Sequence, residues 1–140
     1  MNKQIQPLLE ADLSYKLRGI FIKISQTHGY LYKEKVYQNL LRNELNDNKI
    51  SFVEYSKIEL FDLKNGRLIS SYYPDFLIDN KIIVEIKAKN RIFDTHINQL
   101  IRYLNVSKYE IGFLVNFGSP MVEIIRRIYT NNRKKFLKVN

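Results

Sequence analysis

Asp75, Glu85 and Lys87 are the residues of this 140-residue chain whose types and spacing could do chemistry. They lie in SYYPDFLIDNKIIVEIKA, residues 71–88, where two apolar stretches are separated by the polar Asp79, Asn80 and Lys81. If those polar residues form the loop of an antiparallel hairpin, Ile78 pairs with Ile82, and the same register sets Asp75 directly opposite Glu85. Side chains so opposed have Cβ atoms about 4.5–5.5 Å apart, and like charges there destabilise the pair. A hard divalent cation relieves the repulsion: Mg²⁺ is held by one or two carboxylates at about 2.0–2.1 Å and keeps several waters. Strand alternation brings Lys87 to the face of Glu85. A metal, two carboxylates and an ammonium suit phosphodiester hydrolysis: the metal polarises a phosphoryl oxygen and supplies hydroxide, and the lysine positions the water or offsets developing charge. The geometry alone fits a second arrangement equally, a pair of solvated edge-strand carboxylates neutralised by Lys87, because a one-residue slip turns the strand over.

The elements that must position this trio follow from periodicity. Leu13, Leu17, Ile20, Phe21 and Ile24 recur at helical spacing behind Asp12 as the cap. After the break at Gly29, Val36, Tyr37, Leu40, Leu41 and Leu45 predict a second helix over Lys33–Leu45, ending in the polar Asn46–Asn48. Period two then takes over. Ile50, Phe52, Ile58 and Leu60 alternate with polar neighbours, Asn65-Gly66 is a hairpin turn signal, and residues 67–78 and 82–88 form the next pair of an antiparallel meander. Asp94 caps a helix that turns Ile97, Leu100, Ile101 and Leu104 inward. Tyr109–Phe117 is a nearly continuous apolar strand suited to a covered sheet, Gly118–Pro120 turn the chain, and Val122–Tyr129 is the last strand. The tail from Thr130, with Arg133, Lys134 and Lys135, reads as frayed and solvated. The sum is an α+β sandwich of sheet and helices in one domain over residues 1–140, with its core at about 13–129 and a basic tail at 130–140.

Pro74-Asp75 followed by Glu85-Ile86-Lys87 resembles the PD-(D/E)XK motif of metal-dependent nucleases. The stretches GYLYKEKVYQNLL, YYPDFLIDNKIIVEIKA, HINQLIRYL and IGFLVNFGSP, in that order, resemble the GxxExxY protein family, which is assigned to the same fold. The resemblance covers roughly Leu13 to Tyr129. Leu31 stands at the Gly position of the name-giving motif, Glu34 and Tyr37 match it, and Gly29 would serve the same turn. The resemblance implies a restriction-endonuclease-like core with a mixed central sheet flanked by helices. It also implies Asp75 and Glu85 as ligands to Mg²⁺ or Mn²⁺, Glu34 completing the metal site, and Lys87 as a catalytic residue. On the third helix His96, Gln99 and Tyr103 form one polar stripe, a spacing that also fits a merely exposed helix face. Gln99 with Tyr103 is similar to the QxxxY element of RecB-type nucleases, which implies a helix beside the metal, Gln99 steering Lys87 or a substrate phosphate, and His96 as a supporting substrate contact.

Charge and composition bound what remains. Lys and Arg number 23 against 14 Asp and Glu, a formal +9, which points to a polyanionic partner or to a generically basic proteome. Lys89, Arg91 and Arg102 beyond the trio, with Lys33 and Lys35 beside Glu34, would grip phosphates, and one of Tyr72 and Tyr73 could stack on a base while the other joins the core. His28 matches no pattern and reads as a loop residue. The absence of cysteine excludes disulfides, thiolate metal sites and cysteine nucleophiles. No phosphate-binding or dinucleotide fingerprint is present, and no apolar run approaches the roughly 18 residues of a membrane span, so a cytoplasmic location away from membranes is expected. The expected function is a divalent-metal-dependent nuclease acting on nucleic acid, DNA ahead of RNA. The alternatives are a non-catalytic nucleic-acid-binding module, a four-way-junction resolvase acting as a homodimer, and an interaction protein pairing through a sheet edge.

Overall fold

Alternating apolar residues on β5 (Ile82–Lys87) face two different layers, and that alternation organises the molecule in the computed structural model, which describes residues 9–138. Ile82, Val84 and Ile86 face α1 (Ala11–His28) and α2 (Glu34–Asp47), where Leu17, Phe21, Tyr37 and Leu41 are fully buried. Ile83, on the other face, packs with Leu100 and Leu104 of α3 (Asp94–Asn105). β5 pairs in parallel with β6 (Ile111–Asn116), and α3 is the crossover between them. Every residue of β6 is buried, as expected of a parallel strand covered on both faces. With β1 (Phe52–Glu54), β4 (Phe76–Ile78) and β7 (Glu123–Ile128) the sheet runs β1-β4-β5-β6-β7, antiparallel except at β5–β6. This is a mixed five-stranded sheet flanked by helices, an α+β architecture. The carboxylate-bearing strand lies at its centre, so the edge-strand arrangement of Glu85 is ruled out.

Several expectations are corrected. Residues 67–78 are two strands: Pro74, which has no N–H to donate, separates β3 (Leu68–Tyr72) from β4. β3 pairs back onto β2 (Ile58–Phe61) as a separate two-stranded sheet, with Ile58 opposite Tyr72, so the meander does not form. Neither Asp12 nor Asp94 is a cap. Glu10 precedes α1 in a left-handed conformation with no capping side chain, and before α3 the Phe93 N–H donates to Nδ1 of His96 at 3.2 Å. The basic tail is not frayed but folds back through short 3₁₀ turns at Asn131–Arg133 and Lys135–Lys138. Phe136 is buried and stacks on Phe61 with centroids 5.2 Å apart. The buried Lys134 donates from Nζ to the carbonyls of Ser107 at 2.9 Å and Tyr109 at 2.6 Å, and burial pushes its ammonium down to about 8. Among the described residues, no helix is long and apolar enough to cross a membrane.

Candidate functional site

The fold gathers the ends of six elements at one end of the sheet. β5 and β6 run in parallel and finish there at Lys87 and Asn116. β4, antiparallel to β5, begins there just after Asp75, and β1, antiparallel to β4, ends there at Glu54. α3 starts where the chain leaves β5, and the first residue of α2, Glu34, lies within electrostatic reach of Asp75, Lys87 and Lys89.

The hairpin takes the register expected of it. Ile78 pairs with Ile82, Leu77 with Ile83 and Phe76 with Val84, and one further step sets Asp75 opposite Glu85. The turn closes through the left-handed Asp79 (φ 51°) and Asn80 (φ 52°), a conformation that short Asx side chains tolerate. Beyond the last paired residues the contacts pass between side chain and backbone. The Asp75 N–H donates to Oε1 of Glu85 at 3.1 Å, and Oδ2 of Asp75 accepts the Ile86 N–H at 2.7 Å. Oδ1 of Asp75 accepts from Nε2 of Gln38 at 3.0 Å, and Oε1 of Gln38 accepts the Tyr55 hydroxyl at 2.9 Å. The Tyr72 hydroxyl donates to Oε1 of Glu85 at 2.5 Å. Oε2 of Glu85 has no hydrogen bond among the described residues.

These contacts leave two acids close together and largely withdrawn from water. Burial first, and the charge of Asp75 second, push the Glu85 carboxyl up to about 7. Asp75 is raised by its own burial against the pull of the Ile86 N–H, Lys87 and Gln38. Glu34 is raised by burial and by Asp75, with Lys87 and Lys89 opposing. This donor set fits a hard divalent cation: it is all oxygen, and it offers two carboxylates and an uncommitted Oε2. Among the described residues no three acidic or imidazole groups stand close enough to form a ready cage, so Glu34 is near the pair without closing a three-carboxylate site.

The helix stripe meets the site through aromatic rings. Nε2 of Gln99 donates to the Tyr103 hydroxyl at 3.4 Å, and the Tyr103 ring stacks on Tyr72 with centroids 3.8 Å apart. Gln99 therefore supports Glu85 through Tyr103 and Tyr72, and its hydrogen bond is not to Lys87. His96, its Nδ1 committed to the Phe93 N–H, is lowered by desolvation and by Lys87 and Lys89. Lys89 and Arg91 follow Lys87 directly, with the Arg91 guanidinium 4.7 Å from the centre of the Phe93 ring. Arg102 is exposed in the last turn of α3 and is not drawn into the cluster. Tyr72 is the half-buried tyrosine of its pair and Tyr73 the exposed one.

Four supporting residues were not found from sequence: Gln38, Tyr55, Tyr72 in its hydrogen-bonding role, and Asn116. Gln38 sits one helical turn after Glu34, a spacing that could have flagged it. Asn116, paired in register with Lys87, is fully buried at the end of an otherwise apolar strand. Its Oδ1 accepts the Lys89 N–H at 2.9 Å and the Gly118 N–H at 3.1 Å, and its Nδ2 donates to the Lys89 carbonyl and to Oε1 of Glu123, both at 2.8 Å. That clamp fixes the chain just beyond Lys87, and Gly118 must lack a side chain because a Cβ would stand 2.4 Å from the Lys89 backbone. At the end of α1, Gly29 takes φ 76°, and its carbonyl accepts the hydroxyl of Tyr37 in α2 at 2.7 Å. Gly29 is also the C-cap of α1, its N–H donating to the Ser25 carbonyl.

The model of the PD-(D/E)XK nuclease superfamily matches residues 11–128. No curated protein and no solved structure matches the chain.

Proposed function

The chain belongs to the PD-(D/E)XK nuclease superfamily, and on that premise we propose that it hydrolyses phosphodiester bonds of DNA with Mg²⁺ or Mn²⁺ held by Asp75 and Glu85, Glu34 assisting. The observation that carries this reading is the opposed, part-buried pair of carboxylates with Lys87 on the same central strand. The chemistry that a bound divalent ion supplies there is polarisation of a phosphoryl oxygen and a nucleophilic water at neutral pH.

The protein groups do the positioning. Gln38 and the Ile86 N–H hold both oxygens of Asp75, and Tyr72 with the Asp75 N–H holds Oε1 of Glu85, which leaves Oε2 available to a ligand. Lys87, two residues along the strand from Glu85, offsets charge developing on the phosphate or orients the attacking water. Lys33, Lys35, Lys89 and Arg91 attract and grip the phosphate backbone, with His96 beside them. The narrower likeness to GxxExxY proteins is supported by Glu34 and by the clasp of Tyr37 on Gly29. A cytoplasmic enzyme acting on DNA fits the basic balance of the chain.

The test is metal-dependent cleavage of labelled single-stranded, duplex, branched and RNA substrates, with Asp75→Ala and Lys87→Ala beside the wild type. Cleavage of DNA that needs Mg²⁺ or Mn²⁺ and is lost in both variants is the expected result. Salt-sensitive binding without any cleavage, unchanged by both substitutions, would overturn it in favour of a binding module. Preference for four-way junctions by a dimeric protein would make it a resolvase.

A further inference from the structure

Resting on the nuclease reading, we infer that the substrate offers unpaired bases beside the scissile phosphate, as single-stranded or frayed DNA does and a continuous duplex does not. Six aromatic residues among the described ones are exposed, and five of them stand at the end of the sheet that holds the carboxylates: Tyr30, Tyr32, Tyr55, Tyr73 and Phe93. Each of the five is 42–54% exposed. They come from four separate segments: the α1–α2 loop, the end of β1, the residue before Pro74, and the start of α3. Single exposed aromatics are common on any surface, but five of six at one end of a sheet is a cluster.

Three of these rings are held from behind. Tyr32 lies edge-on to the buried Tyr37 at 6.1 Å, and its N–H donates to the Tyr37 hydroxyl at 3.3 Å. Phe93 is fixed at the N-cap of α3 between His96, 5.9 Å away, and the Arg91 guanidinium. Tyr55 is anchored by its hydroxyl to Gln38, which itself holds Asp75. Tyr73 is one residue from Tyr72, which bonds Glu85, and two from Asp75. Interleaved with them are Lys33, Lys35, Lys87, Lys89 and Arg91, none of which is in an ion pair among the described residues.

Cations that track a backbone, set between aromatic faces, make the arrangement that binds single strands: each unstacked base offers a π-face to a ring whatever its sequence. A continuous duplex presents phosphates and groove edges while its base faces are stacked on one another, so it would engage the cations and leave the rings idle.

The experiment compares cleavage of a single strand and of the duplex of the same sequence by the wild type and by Tyr32→Leu, Tyr73→Leu and Phe93→Leu. Leucine keeps apolar bulk and loses the stacking face. Tyr15→Leu, on the exposed side of α1, is the control, and melting curves verify the fold. Wild type should cut the single strand at least tenfold faster than the duplex, and each of the three variants should lose about five- to a hundredfold in kcat/KM on the single strand, mainly through KM. Equal cutting of duplex, or wild-type KM in all three variants while Lys87→Ala abolishes cleavage, would overturn the inference and leave the nuclease reading intact. If nothing is cut, the nuclease reading fails, and fluorescence anisotropy with a labelled single strand in Mg²⁺-free buffer decides the rings separately. Weakened binding in the three variants supports their role on bases. Unweakened binding, the result expected if the rings dock a protein, overturns it.

Discussion

The two ends of the β4–β5 hairpin treat charge in opposite ways. At the turn, Lys81 reaches Glu10 at 3.3 Å and Asp79 at 3.6 Å, opposite charges paired in solvent. At the open end, Asp75 and Glu85 face each other with Glu34 nearby, like charges gathered and part-buried, and the acidity of all three is weakened. Surface pairs like those at the turn add little to stability and nothing to reactivity. A cluster that the fold must hold against desolvation and repulsion is a cost to stability, and such costs mark places where a ligand completes the charge balance. Two strands and their register thus pair opposite charges at one end and gather like charges at the other.

The sharpest way to break this contrast is by substitution at each end. Lys87→Ala and Asp75→Ala should lower the cleavage rate by about 10²–10⁴-fold, whereas Lys81→Ala should leave cleavage and melting temperature as in the wild type. Comparable losses from Lys81→Ala would erase the distinction. Next in size is the clamp behind Lys87. Asn116→Ala strands the backbone N–H and carbonyl of Lys89 without partners and should cost about 2–4 kcal/mol in urea unfolding, more than any single substitution among the exposed residues Asp79, Asn80 and Lys81.

A third measurement uses pH. In the folded, metal-free protein Glu85 holds its proton up to about pH 7, against about 4.5 for an unperturbed glutamate. Folding is therefore favoured by a bound proton, a gain fully present below about pH 4.5 and lost as the pH rises through about 7. In EDTA, melting temperature should rise between pH 8 and pH 6, and Glu85→Gln should flatten that slope. An unchanged slope in Glu85→Gln would show that another group is responsible. The smallest effect is expected at Gln99, whose exposed hydrogen bond to Tyr103 is long at 3.4 Å. Gln99→Ala should change stability by less than about 0.5 kcal/mol and cleavage only slightly. A loss as large as that of Lys87→Ala would mean that Gln99 meets the substrate directly.

The register of the hairpin was legible because two local facts fix it: apolar residues on both sides and a three-residue polar loop containing Asn80. The helices and the buried β6 were legible for the same reason, since period and composition are properties of neighbours in sequence. What escaped depends on residues far apart in the chain. Pro74 divides residues 67–78 between two sheets, a choice made by what β3 and β4 each pair with. Asn116 sits in a run of apolar residues, and its partners at Lys89 and Glu123 arrive only when β5, β6 and β7 are aligned. The stripe of His96, Gln99 and Tyr103 was visible, but the stacking of Tyr103 on Tyr72 that gives it a purpose was not.

The folded-back tail bears on where this protein can be cut. The family match stops at residue 128, and a truncation made there would discard Phe136 and with it the ring stacked on Phe61. Phe61 ends β2, β2 is the partner of β3, and β3 finishes at Tyr72, whose hydroxyl holds Glu85. Trimming a few residues that carry no motif would thus slacken a mechanical brace, and the first symptom would be a Glu85 carboxylate less firmly held in place while the core still melts as one.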